Sequence, residues 1–528
     1  MLTESRPERP LQRSDNTFEH LIIGAGITGL VLASELNVPV FDKAPGGYKV
    51  GESVIPEQFH DPRMSCHLEA IRQLPSWAPK RGTVFQDETE VAFFPLTQHL
   101  DRAMHVARHE LEPLLAQRMD VQVMSAEVLE VDVVGRRLRT DKGWWYSRGP
   151  LLDCSGPAML VANALGEVQS LDPLWATWGY HDVLGRNPDA FWHNVTAQGR
   201  SASALDVPSG RLMPSPAGAE DPTAFTNLIR IDDGLWMWHI PLYQHRVLSV
   251  GVVSRRGPIN AEQYDNLVRQ TTEPLWTLKP RIDANEEARG DSPLSGLRHR
   301  QGFANRAKRA ASEDFILVGD AFAFGDPVYS VGTGLAVTQA FEIADRLNAA
   351  EWTIDDAHAY HQQSEHNLAR MLQAFEYWYQ GKVLRDDRIA ALVQRGFLTG
   401  ESFRGASFAA YTQVVEDASR AAEGHIVRSI TQALNHSQIL REASFEIRTE
   451  PSEHAILLSN PTMTLQVCPQ TPNAVAWRWV AQVGISYQSK PGQQTPTEMM
   501  ECLAALIDSA PSVWQRSLGR LQTLRDRS

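Results

Sequence analysis

The alternation of apolar and polar positions divides the chain into blocks. Residues 1–18, MLTESRPERPLQRSDNTF, mix charges and prolines without an apolar run. They read as a flexible tail without the h-region of a signal peptide. From His20 the pattern changes: HLIIGAGITGLVLASEL is a short apolar strand, a glycine turn and a helix-period run, followed by the strand VPVFD. That succession opens a parallel α/β sheet. Strand-like runs follow over 120–134 and 246–253, and FILVGDAFAF at 315–324 leads through a glycine turn into the helix-period stretch GLAVTQAFEIADRLNAA. After 351 apolar residues recur at helical intervals, whereas 444–488 carries short β-type runs separated by proline and asparagine. The latter predict a small antiparallel meander, closed by two short helices around 496–509 and 512–525. The expected layout is a tail (1–18), an α/β module (19–350), a helical region (351–443) and a small α+β appendage (444–528).

Composition narrows the function classes. Of 528 residues, 50 are lysine or arginine and 63 aspartate or glutamate, a net charge of −13. Nucleic acid and anionic membranes demand a basic footprint that this balance disfavours. No apolar run reaches the ~20 residues needed to span a bilayer. Cys66, Cys154, Cys468 and Cys502 lack disulfide-scaffold or metal-ligand spacing, a usage that suits the reducing cytoplasm.

Gly24-Ala25-Gly26-Ile27-Thr28-Gly29 is GxGxxG between strand and helix. Glycines are required where the turn is tight, where backbone approaches a pyrophosphate and where helix packs on strand; the helix N-terminus then favours the anion. Asp42 ends the second strand, where an acid can hold ribose hydroxyls. No second GxGxxG is present for a nicotinamide. In Trp236-Met237-Trp238-His239-Ile240-Pro241, strand alternation places both indoles on one face.

Several further segments resemble those of FAD-dependent monooxygenases, in the same order along the chain. They are Val106-Ala107-Arg108 (VxR), Asp153-Cys154-Ser155-Gly156 (DxSG) and Gly319-Asp320-Ala321 (GD). More specifically, WxWxIP at 236–241, with Gly51-Glu52-Ser53-Val54-Ile55-Pro56 (GESxIP), resembles the flavin-dependent halogenases. The resemblance implies an α/β, FAD-dependent monooxygenase-like fold: a Rossmann-type FAD domain with an interleaved β-sheet substrate domain, covering about residues 19–350. It implies cofactor contacts at Gly24, Gly26, Thr28, Gly29, Asp42, Glu52, Ser53, Arg108, Asp320 and Pro327. Trp236, Trp238, Ile240 and Pro241 would separate flavin from substrate, so that a flavin hydroperoxide meets halide. Lys80, in a KxGxxF-like stretch, would be the catalytic lysine that presents hypohalous acid, with Lys49 as its rival nearer the cofactor edge. Asp326-Pro327-Val328-Tyr329-Ser330-Val331-Gly332 resembles the DPxxSxG stretch, which assigns halide (chloride or bromide) to Ser330, Val331 and Gly332.

Tryptophan halogenases carry a glutamate two residues after that proline, where this chain has Tyr329. The departure favours a ring that activates itself, a phenol or pyrrole. Reduced FAD would come from a separate NAD(P)H flavin reductase. The small aromatic substrate would be free or tethered to a carrier protein; the acidic charge, spread over both halves, favours a free one. An FAD-dependent aromatic hydroxylase is the alternative on the same scaffold.

Overall fold

The computed structural model describes residues 16–398, apart from 60, 97–100, 207–208, 274 and 282–293, and the strands between 446 and 488. The chain divides into two compact units, Met1–Thr412 and Gln413–Ser528.

In the first unit, strand β1 (Leu21–Ile23) enters the glycine turn, helix α1 (Ile27–Leu36) follows, and β2 (Val40–Asp42) returns parallel to β1. Leu151–Asp153 lies on the other side of β1, with Phe315–Leu317 beyond it and Val123–Ser125 outside β2. All five strands are parallel, a sheet type covered on both faces; hence the continuous apolar runs in place of alternation. Gly24 has φ +95°, and a Cβ there would stand 2.4 Å from the Cys154 carbonyl oxygen, so only glycine fits this turn. A Cβ on Gly29 would meet the Gly24 carbonyl oxygen at 1.9 Å, which is the close seating of α1 on the turn.

Two expectations are corrected here. Thr17–Phe18 pair in parallel with Tyr146–Ser147, so the segment read as a tail is structured by Thr17; Phe18 stacks on Trp145 with centroids 6.0 Å apart. The run over 120–134 is two strands in different sheets. Val123–Ser125 joins the parallel sheet, while Val128–Asp132 pairs with Arg137–Thr140. Helix α2 (Arg108–Arg118) precedes both.

The second layer is a ten-stranded mixed sheet. It contains β3 (Trp175–Arg186), β4 (Thr226–Arg230), β5 (Leu235–Leu242) and β6 (Val247–Ser254), in the spatial order β4-β5-β6-β3. On β5, Trp236, Trp238 and Ile240 enter the main core, and Met237 belongs to a second apolar cluster with Val250 and Val252. Helix α3 (Gly332–Ala349) packs on α1.

Helix α4 (Ile354–Tyr379) starts at a capping box: the Thr353 hydroxyl accepts from the Asp356 amide at 3.2 Å, and the Asp356 carboxylate accepts from the Thr353 amide at 2.9 Å. Its buried stripe includes Ser364, Leu368, Met371, Phe375, Trp378 and Tyr379, helical spacing that lays one face on the core. Arg230 Nε donates to the Tyr379 carbonyl at 2.8 Å and so ties the helix end to β4.

The second unit contains a five-stranded sheet, Glu446–Glu450, Ala455–Asn460, Met463–Thr471, Ala474–Ala481 and Ser486–Gln488, each antiparallel to the next. This is the meander that the sequence pattern predicts. The helices expected at 496–509 and 512–525 lie outside the described residues. No helix among the described residues is long and apolar enough to cross a membrane.

Candidate active site

Three motifs far apart in sequence meet in one small sheet. Met104–His105 pairs antiparallel with Ser53–Val54 on one side and with Ala78–Pro79 on the other. The GES turn, the lysine stretch and the VxR element are each covalently adjacent to one of these two-residue strands. Strands so short leave no periodic signal, so the sequence did not reveal the sheet.

That clamp buries Lys80, which is 1% exposed. Its Nζ donates to Ser53 Oγ at 2.8 Å; Ser53 Oγ lies 3.3 Å from Thr226 Oγ1, which lies 2.7 Å from His105 Nε2. Burial lowers the lysine's pKa from 10.5 to about 7, because an apolar setting disfavours the ammonium. His105 is fully buried, and burial pushes its pKa well below the ordinary value. Sequence reasoning placed Ser53 with the cofactor; the structure brings its hydroxyl to Lys80.

The surroundings of the two indoles on β5 are also assembled from distant parts. Trp236 and Trp238 have ring centroids 6.0 Å apart. Trp238 lies over Gly251, where a Cβ would stand 2.1 Å from the ring, and its Nε1 donates to Ser249 Oγ at 3.2 Å. Trp236 Nε1 donates to Tyr379 Oη at 3.1 Å, and Tyr379 Oη donates to Asp326 Oδ2 at 2.6 Å. Burial raises the Asp326 pKa to about 6, opposed by the Tyr379 bond. Sequence reasoning missed Tyr379. The helical period of α4 was visible, but nothing in it marked which residue would touch the site. Tyr329 is buried, and its hydroxyl donates to the Ala374 carbonyl at 2.9 Å.

The glycine turn and its surroundings fit FAD. Neither Gly26 at the start of α1 nor Val331 at the start of α3 has a side-chain cap, so both helix N-termini present amides suited to anionic groups. A Cβ on Gly26 would stand 3.7 Å from Arg108 Nη2, and one on Gly51 would stand 3.5 Å from Nη1. A path between the two glycines is therefore lined by the guanidinium. Arg108 Nε donates to Glu112 at 2.9 Å, and Lys49 Nζ reaches Glu112 at 2.7 Å and Asp42 at 3.8 Å. Asp42 accepts from the Ala25 and Ala44 amides, both at 2.8 Å, and each carboxylate oxygen keeps a second lone pair for a ribose hydroxyl. Burial raises the Asp320 pKa to about 6 against the pull of Arg108 and Arg300; its Oδ1 would lie 3.6 Å from a Cβ on Gly332. Thr28 sits in the first turn of α1, and the Pro327 carbonyl accepts from the Ser330 amide at 3.1 Å. Ser330 itself has φ +56°. Glu52, 1% exposed, accepts from Tyr180 Oη, which lies 2.7 Å from Tyr48 Oη. Burial raises the Glu52 pKa.

Comparisons with known proteins point to halogenases. The family model for tryptophan halogenases matches residues 201–388. A 1H-pyrrole-2-carbonyl-[peptidyl-carrier protein] chlorinase of Pseudomonas fluorescens is 26% identical over 365 residues, 62% of this chain and 75% of that one. A flavin-dependent halogenase of Penicillium aethiopicum is 31% identical over 144 residues, 26% of each chain. The match spans about a quarter of the length of the Penicillium relative and of two further flavin-dependent halogenases, from Pestalotiopsis fici and Armillaria mellea. The crystal structure of the halogenase PltM superposes with a TM-score of 0.56 at 15% identity, covering 80% of this chain and 84% of that one; this likeness concerns fold alone. The fold is the α/β FAD-binding type shared with these halogenase and flavoprotein structures. Within that class, the chain is a sequence relative of the flavin-dependent halogenases.

Proposed function

We infer that the protein halogenates an electron-rich aromatic ring, phenolic or pyrrolic, using FAD reduced by a separate NAD(P)H flavin reductase. The observation that carries this reading is Lys80, a fully buried lysine depressed to about 7, in a chain with the complete WxWxIP face. A bulk-exposed lysine is almost wholly ammonium at neutral pH. At a pKa near 7 both forms are present, which suits a group that must hydrogen-bond hypohalous acid or accept X⁺ from it. Reduced FAD, when bound, supplies the two electrons with which O₂ oxidises halide to hypohalous acid. Val331 and Gly332 offer backbone amides for a monoanion, with Ser330 beside them. Trp236 and Trp238 form an apolar wall that keeps the organic substrate apart. Lys80 then directs the hypohalous acid to the ring; carbon gains the halogen, loses a proton, and water leaves. Tyr329 supplies no carboxylate to steady a cationic intermediate, which supports a self-activating ring. The Pseudomonas relative's name specifies a carrier-bound pyrrole, so a carrier-tethered substrate belongs in the test beside free phenols.

The assay is incubation with FAD, a flavin reductase, NADH, halide and these substrates, with mass spectrometry of products formed when chloride and bromide are both present. A halogenated ring is expected. Halide-independent hydroxylation of the same ring would replace this reading with the aromatic hydroxylase.

A further inference from the structure

We propose that Thr226 and His105 are positioning residues for Lys80, forming with Ser53 a buried hydroxyl relay that fixes the direction of its ammonium and sets its proton affinity. The inference rests on the catalytic assignment of Lys80 and goes beyond it, since neither residue belongs to a motif that pointed to chemistry.

The donors can be followed outward from the lysine. Lys80 is the donor to Ser53 Oγ at 2.8 Å, so the Ser53 hydroxyl proton is left to point towards Thr226 Oγ1, 3.3 Å away. Thr226 Oγ1 lies 2.7 Å from His105 Nε2, and with Nε2 as acceptor the Thr226 proton points at it. Burial keeps the imidazole neutral, so if Nε2 accepts, Nδ1 carries the ring proton. Nδ1 is buried without a well-formed hydrogen bond, and the Pro241 backbone is what favours its protonation. All dipoles in the row then have their negative ends towards the lysine, and such aligned bonds polarise one another. The far end of the relay faces the proline of WxWxIP, so the lysine and the separator strand are held to a common reference. Other charged and titratable groups do not offer a simpler account. His245 acts on His105 from the turn after β5, Glu52 is turned away to Tyr180, and Arg81, next in the chain, is exposed.

The test requires neither flavin nor turnover. The chain has eight lysines, so a ¹³Cε-lysine label gives few signals, and Lys80→Arg assigns the one of interest. In the parent, that signal should titrate near 7. Thr226→Val keeps the shape but removes the hydroxyl, and should lower the midpoint further, by ~0.5 pH unit or more, because the ammonium loses the aligned dipoles. Thr226→Ser should restore the parent midpoint. His105→Leu, which removes the terminal acceptor, should shift it in the same direction and serves if Thr226→Val does not fold. Midpoints for Thr226→Val and His105→Leu that match the parent would overturn the relay. Failure of the halogenation reading would show separately: the parent would titrate low and respond to Thr226, yet halogenate nothing.

Discussion

Two lysines bracket the GES turn, and their surroundings could hardly differ more. Lys49 is about one-third exposed and sits between two carboxylates, Glu112 at 2.7 Å and Asp42 at 3.8 Å. Lys80 is 1% exposed, and its Nζ donates to the Ser53 hydroxyl. A carboxylate partner compensates a lysine's charge, and Lys49 is paired with the acids on which the glycine turn and Arg108 depend. A hydroxyl solvates an ammonium without neutralising it, so burial still depresses the proton affinity of Lys80. One side chain is built into the ion pairs beside the glycine turn as structure. The other is held at a cost, as reactive groups often are.

The largest effect expected from breaking this contrast is at Lys80. Lys80→Met should lower halogenation by ~10³-fold, within the range for loss of a positioned proton-transfer group, as measured by product per turnover with excess reductase. Lys80→Arg should not rescue it, because a guanidinium stays charged and forked where a tunable amine is required. The same Met variant should be more stable than the parent. Between pH 7 and 10.5 the unfolded chain keeps a proton on this lysine that the folded chain has lost. Parent stability therefore rises with pH across that window and is lowest, as far as this group is concerned, at and below 7. The linked cost at neutral pH is about 4 kcal/mol at most, and the Met advantage in denaturant melts should shrink towards pH 10.5. A variant that is inactive and also less stable at pH 7 would mean that Lys80 is an ordinary structural lysine.

This contrast was partly legible in the sequence. The parallel sheet, the glycine turn, Asp42, the WxW face and the C-terminal meander all announce themselves through local periodicity or spacing, because each is a property of one contiguous stretch. The assignment of Lys80 over Lys49 was a matter of order among motifs. Its burial, and the partners Ser53, Thr226 and His105, were hidden, because they meet through two-residue strands that carry no period. Tyr379 was hidden for a different reason. Its helix was expected, but Tyr379 reaches Trp236 across 143 positions of sequence, and contacts of that range depend on how α4 lies on the sheet. The region read as lying beyond the α/β module thus supplies a hydrogen-bond partner to the Trp236 indole.

Tyr379 provides the next test, intermediate in size. Tyr379→Phe removes the acceptor of the Trp236 indole N–H and the donor to Asp326 while leaving the ring beneath Arg255, whose guanidinium lies 3.5 Å from the ring centroid. The wall should loosen without collapsing. The fraction of NADH consumption that ends in halogenated product should fall about fivefold, the equivalent of one hydrogen bond of roughly 1 kcal/mol, with the remainder appearing as hydrogen peroxide or free hypohalous acid. Coupling equal to the parent would show that the indole is held by packing against Trp238 and Trp378 alone.

The smallest effect belongs to Lys49. Lys49→Met leaves Glu112 paired with Arg108, so the acid is not stranded and the cradle should persist. One positive charge disappears from the pyrophosphate end, which should weaken FAD binding about threefold, as expected for a partly exposed ion pair worth less than 1 kcal/mol. Fluorescence titration with FAD at low and high salt measures it; the difference between variant and parent should narrow with salt as the charge is screened. At saturating FAD, the yield of halogenated product should equal that of the parent. If the yield instead collapses as in Lys80→Met, the two lysines share one task, and the division between an ion-paired anchor and a buried amine is wrong.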